Sequence, residues 1–231
     1  MTDDSGSGNH GTDNGSMDSS DQVSGKIGNG FDFDGGDDYV DLGENVTDLS
    51  LSTFTYSAWI KTSGTDSREM IFSDYFCNGE SGVLWNVQSG ALGIRLANGS
   101  TATDYIGNGA VNDDSWHHVV ITRDNGNSGA LEMYIDGASD QSFASSQSVS
   151  YVGSANTLIG ASDYTSPACA NNGIGNFFPG IIDELRIGNT ALSADWIATE
   201  YNNQSDPDAF YSVGAQQSYT GKICGLPSNC V

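Results

Sequence analysis

From Phe31 onward one pattern dominates the chain: short runs rich in β-branched and aromatic residues, each closed by Gly, Asn or Asp. The runs are FDF, YVDLG, FTYSAWIKT, REMIFSD, GVLWNVQ, ALGIRLA, WHHVVITRD, ALEMYIDG, NTLIGA and GIIDELRIG. Runs of this length, separated by turn residues, read as strands. Asn98-Gly99 and Asp136-Gly137 are dipeptides suited to hairpin turns with positive φ. One helical signal stands out: Ser193 precedes ADWIATEYNN, with Trp196, Ile197 and Tyr201 at helical spacing and the serine placed to cap. There is no strand–helix–strand alternation and no Gly-rich phosphate loop. The prediction is an all-β antiparallel sandwich with one short C-terminal helix.

Charge narrows the partners. Thirty acidic residues stand against seven basic ones, a formal net charge of −23. Phosphates would repel such a surface, which disfavours nucleic acid and anionic membranes. It suits a secreted or cell-surface setting and the collection of divalent cations. No stretch approaches the ~20 apolar residues of a membrane span. The opening MTDDSGSGNHG lacks the basic and apolar regions of a signal peptide. Residues 1–30 hold only Met1, Met17, Val23 and Ile27 as apolar side chains, too few to offset the entropy of ordering them. The expected organisation is an irregular acidic lead-in over 1–24, the sandwich over 25–215 and a tail over 216–231. Four cysteines, Cys77, Cys169, Cys224 and Cys230, have no CxxC or CxxH spacing, so disulfides are expected over a zinc site. Three pairings are open. The favoured one joins two loops through Cys77–Cys169 and closes a small ring through Cys224–Cys230.

Candidate chemistry centres on Asp183 in GIIDELRIG. Strict alternation puts Ile181, Asp183, Leu185 and Ile187 on one face and Ile182, Glu184 and Arg186 on the other. A carboxylate among aliphatics is costly without a cation or several hydrogen-bond donors. Catalysis is not expected. A retaining glycosidase needs two carboxyls ~5 Å apart, which on one strand calls for acids at alternate positions, and no such run exists. Polysaccharide lyases of sandwich folds cluster Arg, Gln, His and Tyr on adjacent strands, and this chain has four arginines in no such setting. No G-x-S-x-G elbow is present. His117 and His118 are neighbours on a strand, point to opposite faces and cannot share one metal; packing after Trp116 is their expected role.

The order of motifs GKIGNGFDFDGGDDYVDLG, FTYSAWIKT, WHHVVITRD, MYIDG, LIGA and GIIDELRIGNTALSADWIATEYNN resembles the laminin-G-like, concanavalin A-type family, including its pentraxin-like members. The resemblance runs from about Ser24 to Asn203. It implies a two-sheet antiparallel jelly-roll sandwich with curved sheets, often one calcium, and use as a carbohydrate-binding or adhesive module. Family members carry a strand ahead of the segment that here reads DDSGSGNHGTDNG. Its place is expected to be filled by AFYSVGA, Ala209 to Ala215, or by a strand from a partner chain.

The resemblance also implies sites. Asp34 and Asp183 would share a structural Ca2+, with Asp37 and Asp38 in reserve. The alternative is that Asp183 accepts backbone N–H groups without a metal. On one rim, Asp74, Asn78, Glu80 and Asp163 would hold a second calcium. Tyr75, Phe76 and Tyr164 would stack on sugar rings, with Phe177 and Trp85 as further aromatic candidates better explained by packing. The expected function is an extracellular, calcium-binding, non-catalytic module for a glycan or cell-surface ligand. The alternative is an adhesive subunit of a filament or pilus completed by a partner's strand.

Overall fold

The structure is a computed structural model that describes residues 1–3, 6, 8–44, 53–76, 80–124, 129–150, 156–163 and 173–210. In chain order its strands are β1 (Thr12–Asn14), β2 (Gln22–Ser24), β3 (Asn29–Asp34), β4 (Tyr39–Glu44), β5 (Phe54–Thr62), β6 (Glu69–Phe76), β7 (Ser81–Gln88), β8 (Ala91–Asn98), β9 (Ala102–Ala110), β10 (Trp116–Asp124), β11 (Ala130–Ile135), β12 (Ala138–Ala144), β13 (Asn156–Ile159), β14 (Ser162–Asp163), β15 (Ile174–Gly175) and β16 (Pro179–Gly188). Two helices follow, α1 (Ala194–Ser205) and α2 (Pro207–Phe210).

Two seven-stranded antiparallel sheets form the sandwich. Sheet A runs β1-β4-β13-β6-β7-β8-β9 and sheet B runs β12-β11-β10-β5-β16-β3-β2; β14 and β15 form a separate short hairpin. The period-two pattern places alternate residues of the facing strands in one shared core. Tyr56 and Ile60 of β5, Phe72 of β6, Trp85 of β7, Ile121 of β10 and Ile182 of β16 are buried there. Tyr56 stacks on Phe54 and meets Phe72 and Trp85 across the interface, so aromatic packing joins the sheets at their centre. The Asp136-Gly137 turn forms as expected, with both residues at positive φ between β11 and β12.

The lead-in differs from expectation. Far from being irregular throughout, it supplies β1, which pairs with β4 at one edge of sheet A, and β2, which pairs with β3 at one edge of sheet B. Backbone pairing holds these strands where apolar side chains are scarce. Ala209 and Phe210, expected to start a strand, lie in α2 instead, and residues 211–215 fall outside the described residues. Two further strands, β9 and β12, carry sequences too polar and Gly-rich to announce themselves: ATDYIGNGA and ASDQSFA.

The alternation assumed for GIIDELRIG fails at its centre. The pairing of β16 with β5 shifts register between Asp183 and Arg186, and Glu184 adopts φ +52°. This is a β-bulge. It leaves Ile182 in the core, with Leu185 and Ile187 packed against the core from beyond the bulge. Asp183, paired with Trp59, lies on the opposite side of the sheet. Its aliphatic row was an artefact of unbroken register.

Candidate functional site

The two outer faces of the sandwich differ in kind. On sheet B, α1 lies across the strands. Ser193 caps it by accepting a hydrogen bond from the Trp196 backbone N–H at 3.3 Å. Ile197 is buried against Val120 and Tyr134, and Tyr201 stacks on Trp59. Trp59 Nε1 donates to Gln204 Oε1 at 2.6 Å. Lys26 sits 4.9 Å from the Trp59 ring and donates to the Ser205 carbonyl at 3.0 Å. The lead-in and α1 are thus clamped on one tryptophan.

Asp183 belongs to this clamp. Its Oδ2 accepts the Ile27 N–H and its Oδ1 the Glu184 N–H, both at 2.8 Å. A side chain at Gly25 would fall 2.5 Å from Asp183 Oδ2, so the lead-in must pass there as glycine. These are the backbone N–H contacts that the second reading of Asp183 expects. Asp34 is not brought to Asp183: β3 pairs Asp34 with Pro179 and Phe31 with Ile182, which sets Asp183 opposite Gly30. Four residues of strand, ~13 Å, separate the two acids.

Asp34 instead gathers with Asp37 and Asp38, whose ligand atoms lie within 4.8 Å of one another; this is the only such group of three among the described residues. Asp34 Oδ1 accepts the N–H groups of Gly36, Asp37 and Asp38, which hold its carboxyl below the usual range. Ser16, in the β1–β2 connection, donates its hydroxyl to Asp37 and Asp38.

Among the described residues, Asp74, Glu80 and Asp163 do not form a group of three that could hold a metal ion. Asp74 is buried on the core side of β6, where it adds to the effect of burial in raising the Tyr56 hydroxyl. Glu80 pairs with Arg95 at 3.0 Å. Asp163 is buried and accepts the Asn156 N–H at 3.3 Å. Tyr75 is buried with Met70, Leu84 and Ala97, Phe76 is half-buried, and Trp85 is fully in the core. Phe177 packs beside Tyr39. Asn78, Tyr164 and all four cysteines lie outside the described residues.

Sheet A's outer face holds what the sequence reading missed. Register puts Ser73, Leu84, Arg95 and Asp104 in one row across β6 to β9, with Asn86 and Ile106 in the next row along. Ser73 Oγ, Asn86 Oδ1 and Arg95 Nε are buried and have no hydrogen-bond partner. Buried polar groups are rarely left this way. Arg95 otherwise donates to Asp104 and Glu80, each at 3.0 Å, and Arg68 reaches Asp104 at 3.1 Å. Burial alone would lower the Arg95 guanidinium, but Asp104, Tyr75 and Glu80 outweigh it and raise its pKa. The β14–β15 hairpin packs beside β6 on one flank. On the other flank Ile106 is exposed and the Arg68 and Arg95 side chains are partly so. The signal in the sequence was the polar residue set among aliphatics, as in VLWNVQ around Asn86.

His117 and His118 point apart. His117 is held between Asp136 and Asp113, at 2.9 and 3.1 Å, and its pKa is raised by those bonds, Asp136 first. His118 lies beneath α1 beside Trp59 and Tyr201, where burial pushes it down to about 4.

A family model described as the concanavalin A-like lectin/glucanases superfamily matches residues 34–198. Among solved structures, domain 4 of a Geobacillus stearothermophilus GH43 extracellular arabinanase, AbnA, in complex with arabinotriose, is similar at TM-score 0.58 and 22% identity, over 77% of this chain and 78% of that one. The CBM40 of Ruminococcus gnavus IT-sialidase, bound to α2,3-sialyllactose, is similar at TM-score 0.54 and 16% identity, over 65% and 83%. The binding domain of botulinum neurotoxin DC in complex with SialylT is similar at TM-score 0.64 and 17% identity, over 88% of this chain and 48% of that chain, so the match spans about half the toxin domain's length. The first of the matched structures, the binding domain of a paraclostridial mosquitocidal protein, is likewise spanned over only 45% of its length. No curated protein sequence matches the chain.

Proposed function

The chain belongs to the concanavalin A-like lectin/glucanase superfamily, and from that premise we propose that it is a non-catalytic glycan-binding module of a secreted or surface-displayed protein. The observation that carries this reading is the row of unpaired groups on sheet A. Asn86 Oδ1 offers an acceptor, Arg95 Nε a donor and Ser73 Oγ either. These atoms are shielded from solvent, so on this reading the face opens to admit a pair of neighbouring sugar hydroxyls, which present the complementary set because each hydroxyl both donates and accepts. The ligand approaches from the β8–β9 side, where Ile106 gives an apolar surface and Arg95 and Arg68 flank it. Asp104 and Glu80 neutralise these arginines, which among the described residues leaves no carboxylate pair free for acid–base chemistry beside them. Similar folds in the arabinanase and sialidase domains, solved with bound sugars, support the reading.

The test is a glycan array followed by calorimetry on any ligand found. Ser73→Val and Asn86→Leu should each weaken binding at least tenfold, the worth of one hydrogen bond to a buried polar group. Binding unchanged in both variants would exclude this face.

Calcium is proposed at Asp34, Asp37 and Asp38, whose hard oxygen donors suit that ion. When bound, calcium would supply a counter-charge that ties the β1–β2 connection to the β3–β4 turn through Ser16. Chelation should then lower the melting temperature of the wild type but not of Asp37→Asn. A melting curve indifferent to chelator would exclude the site.

A further inference from the structure

Another set of unpaired groups lies inside the sandwich, away from both outer faces. Arg123, near the end of β10, pairs across the sheet with Phe54 and Leu131, two core residues, and so points between the sheets. It is 2% exposed. Its Nη2 donates to the Gln147 carbonyl, while Nε and Nη1 have no partner, so among the described residues no carboxylate pairs with this guanidinium. From sheet A, Tyr105 of β9 comes close enough to interact electrostatically with it. The Tyr105 hydroxyl shares a single 2.6 Å hydrogen bond with Ser145 Oγ. Two hydroxyls own two hydrogens and that bond uses one, which leaves a further donor free. The Gln147 side chain provides no relief, because its oxygen already accepts from Thr101 and Thr103 and its nitrogen already donates to Thr101 and Ser148.

The interior end of the sandwich therefore holds more donors than acceptors, around a cation that arginine does not give up. Water does not correct such a surplus, since each molecule brings two hydrogens with its two lone pairs. An anion brings acceptors and no hydrogen. The flanking core residues Phe54 and Leu131 favour a small ion over a carboxylate with its own carbon chain.

We propose that Arg123, together with Tyr105 and Ser145, binds a small monovalent anion of the halide class between the two sheets. The ion offsets the buried guanidinium charge and links β10 of sheet B to β9 of sheet A. This site is separate from the glycan face and independent of its function.

Thermal melts of the full chain in sodium chloride and in sodium gluconate, at equal ionic strength, test the proposal. Chloride should raise the melting temperature by about 3 °C and the rise should saturate with concentration, as binding to the folded state alone requires. Arg123→Met should lose that step. If Arg123→Met does not fold, Tyr105→Phe should shift the midpoint of the chloride titration to higher concentration, and a bromide soak of crystals should give an anomalous peak against Arg123. Identical melts in both salts, a linear rise without saturation, or a water in place of bromide would overturn it.

Discussion

The outer faces of sheets A and B are built from equally buried side chains, yet only one is closed in hydrogen-bond terms. Under α1, Trp59 finds Gln204, Asp183 finds two backbone N–H groups, and Lys26 finds the end of the helix. Among the described residues, only His118 Nδ1 is left over there among the sheet's own side chains, and burial pushes that ring's pKa down to about 4. On sheet A, three polar atoms on adjacent strands lack partners. A face that has been completed for stability loses free energy when its polar groups are removed; a face kept for a ligand does not. That asymmetry can be measured.

The largest effect is expected under the helix. Ile197→Ala should cost about 2–5 kcal/mol of stability, as for other buried aliphatic truncations, with glycan affinity unchanged. A drop in affinity without loss of stability would reverse the assignment of the faces. Next comes acid. His118, lowered from 6.5 to about 4, leaves the unfolded chain binding the extra proton between those values. The His118 contribution to stability is therefore complete above pH 6.5 and falls by about 3 kcal/mol on the way down to pH 4. His118→Phe should flatten that slope in urea titrations. Its neighbour works in the opposite sense: the raised pKa of His117 stabilises the fold below pH 6.5, and that support fades as pH rises through the raised value. Asp183→Ala should cost about 1–3 kcal/mol by stranding the Ile27 and Glu184 N–H groups, and Asp183→Asn less. The smallest change in stability is expected on sheet A. Replacing the unpaired Ser73 and Asn86 with Val and Leu should leave stability within about 1 kcal/mol of wild type or raise it. Chemical denaturation showing a loss as large as that of Asp183→Ala would mean that both faces are closed alike.

Much of this architecture could be read from residue patterns. The apolar strands, the capped helix at Ser193 and the superfamily all emerge from period, turn chemistry and motif order. The misses share a cause: they depend on what a strand pairs with. β1 and β2 have almost no apolar content and exist because β4 and β3 offer them a ladder. The Asp183 bulge is invisible to alternation, which presumes unbroken register, and it moved Leu185 and Ile187 to the face away from that carboxylate. Asp34 and Asp183 sit on neighbouring strands, as motif order implied, but four residues out of step. The unpaired trio on sheet A is a property of three strands in register, and no single run contains it.

The strand order of sheet B also sets a timetable for synthesis. β2 and β3 leave the ribosome ahead of β16, yet in sheet B they rest on it, and Ile27 reaches its acceptor in Asp183 across 156 residues of sequence. The beginning of the chain must therefore wait, unpaired on that side, until almost the whole domain has emerged. A sequence of Gly, Ser, Asn and Asp, with few apolar side chains and a high negative charge, is well suited to waiting in water without sticking to other nascent chains. The composition that disguised the lead-in as irregular is what lets it arrive last.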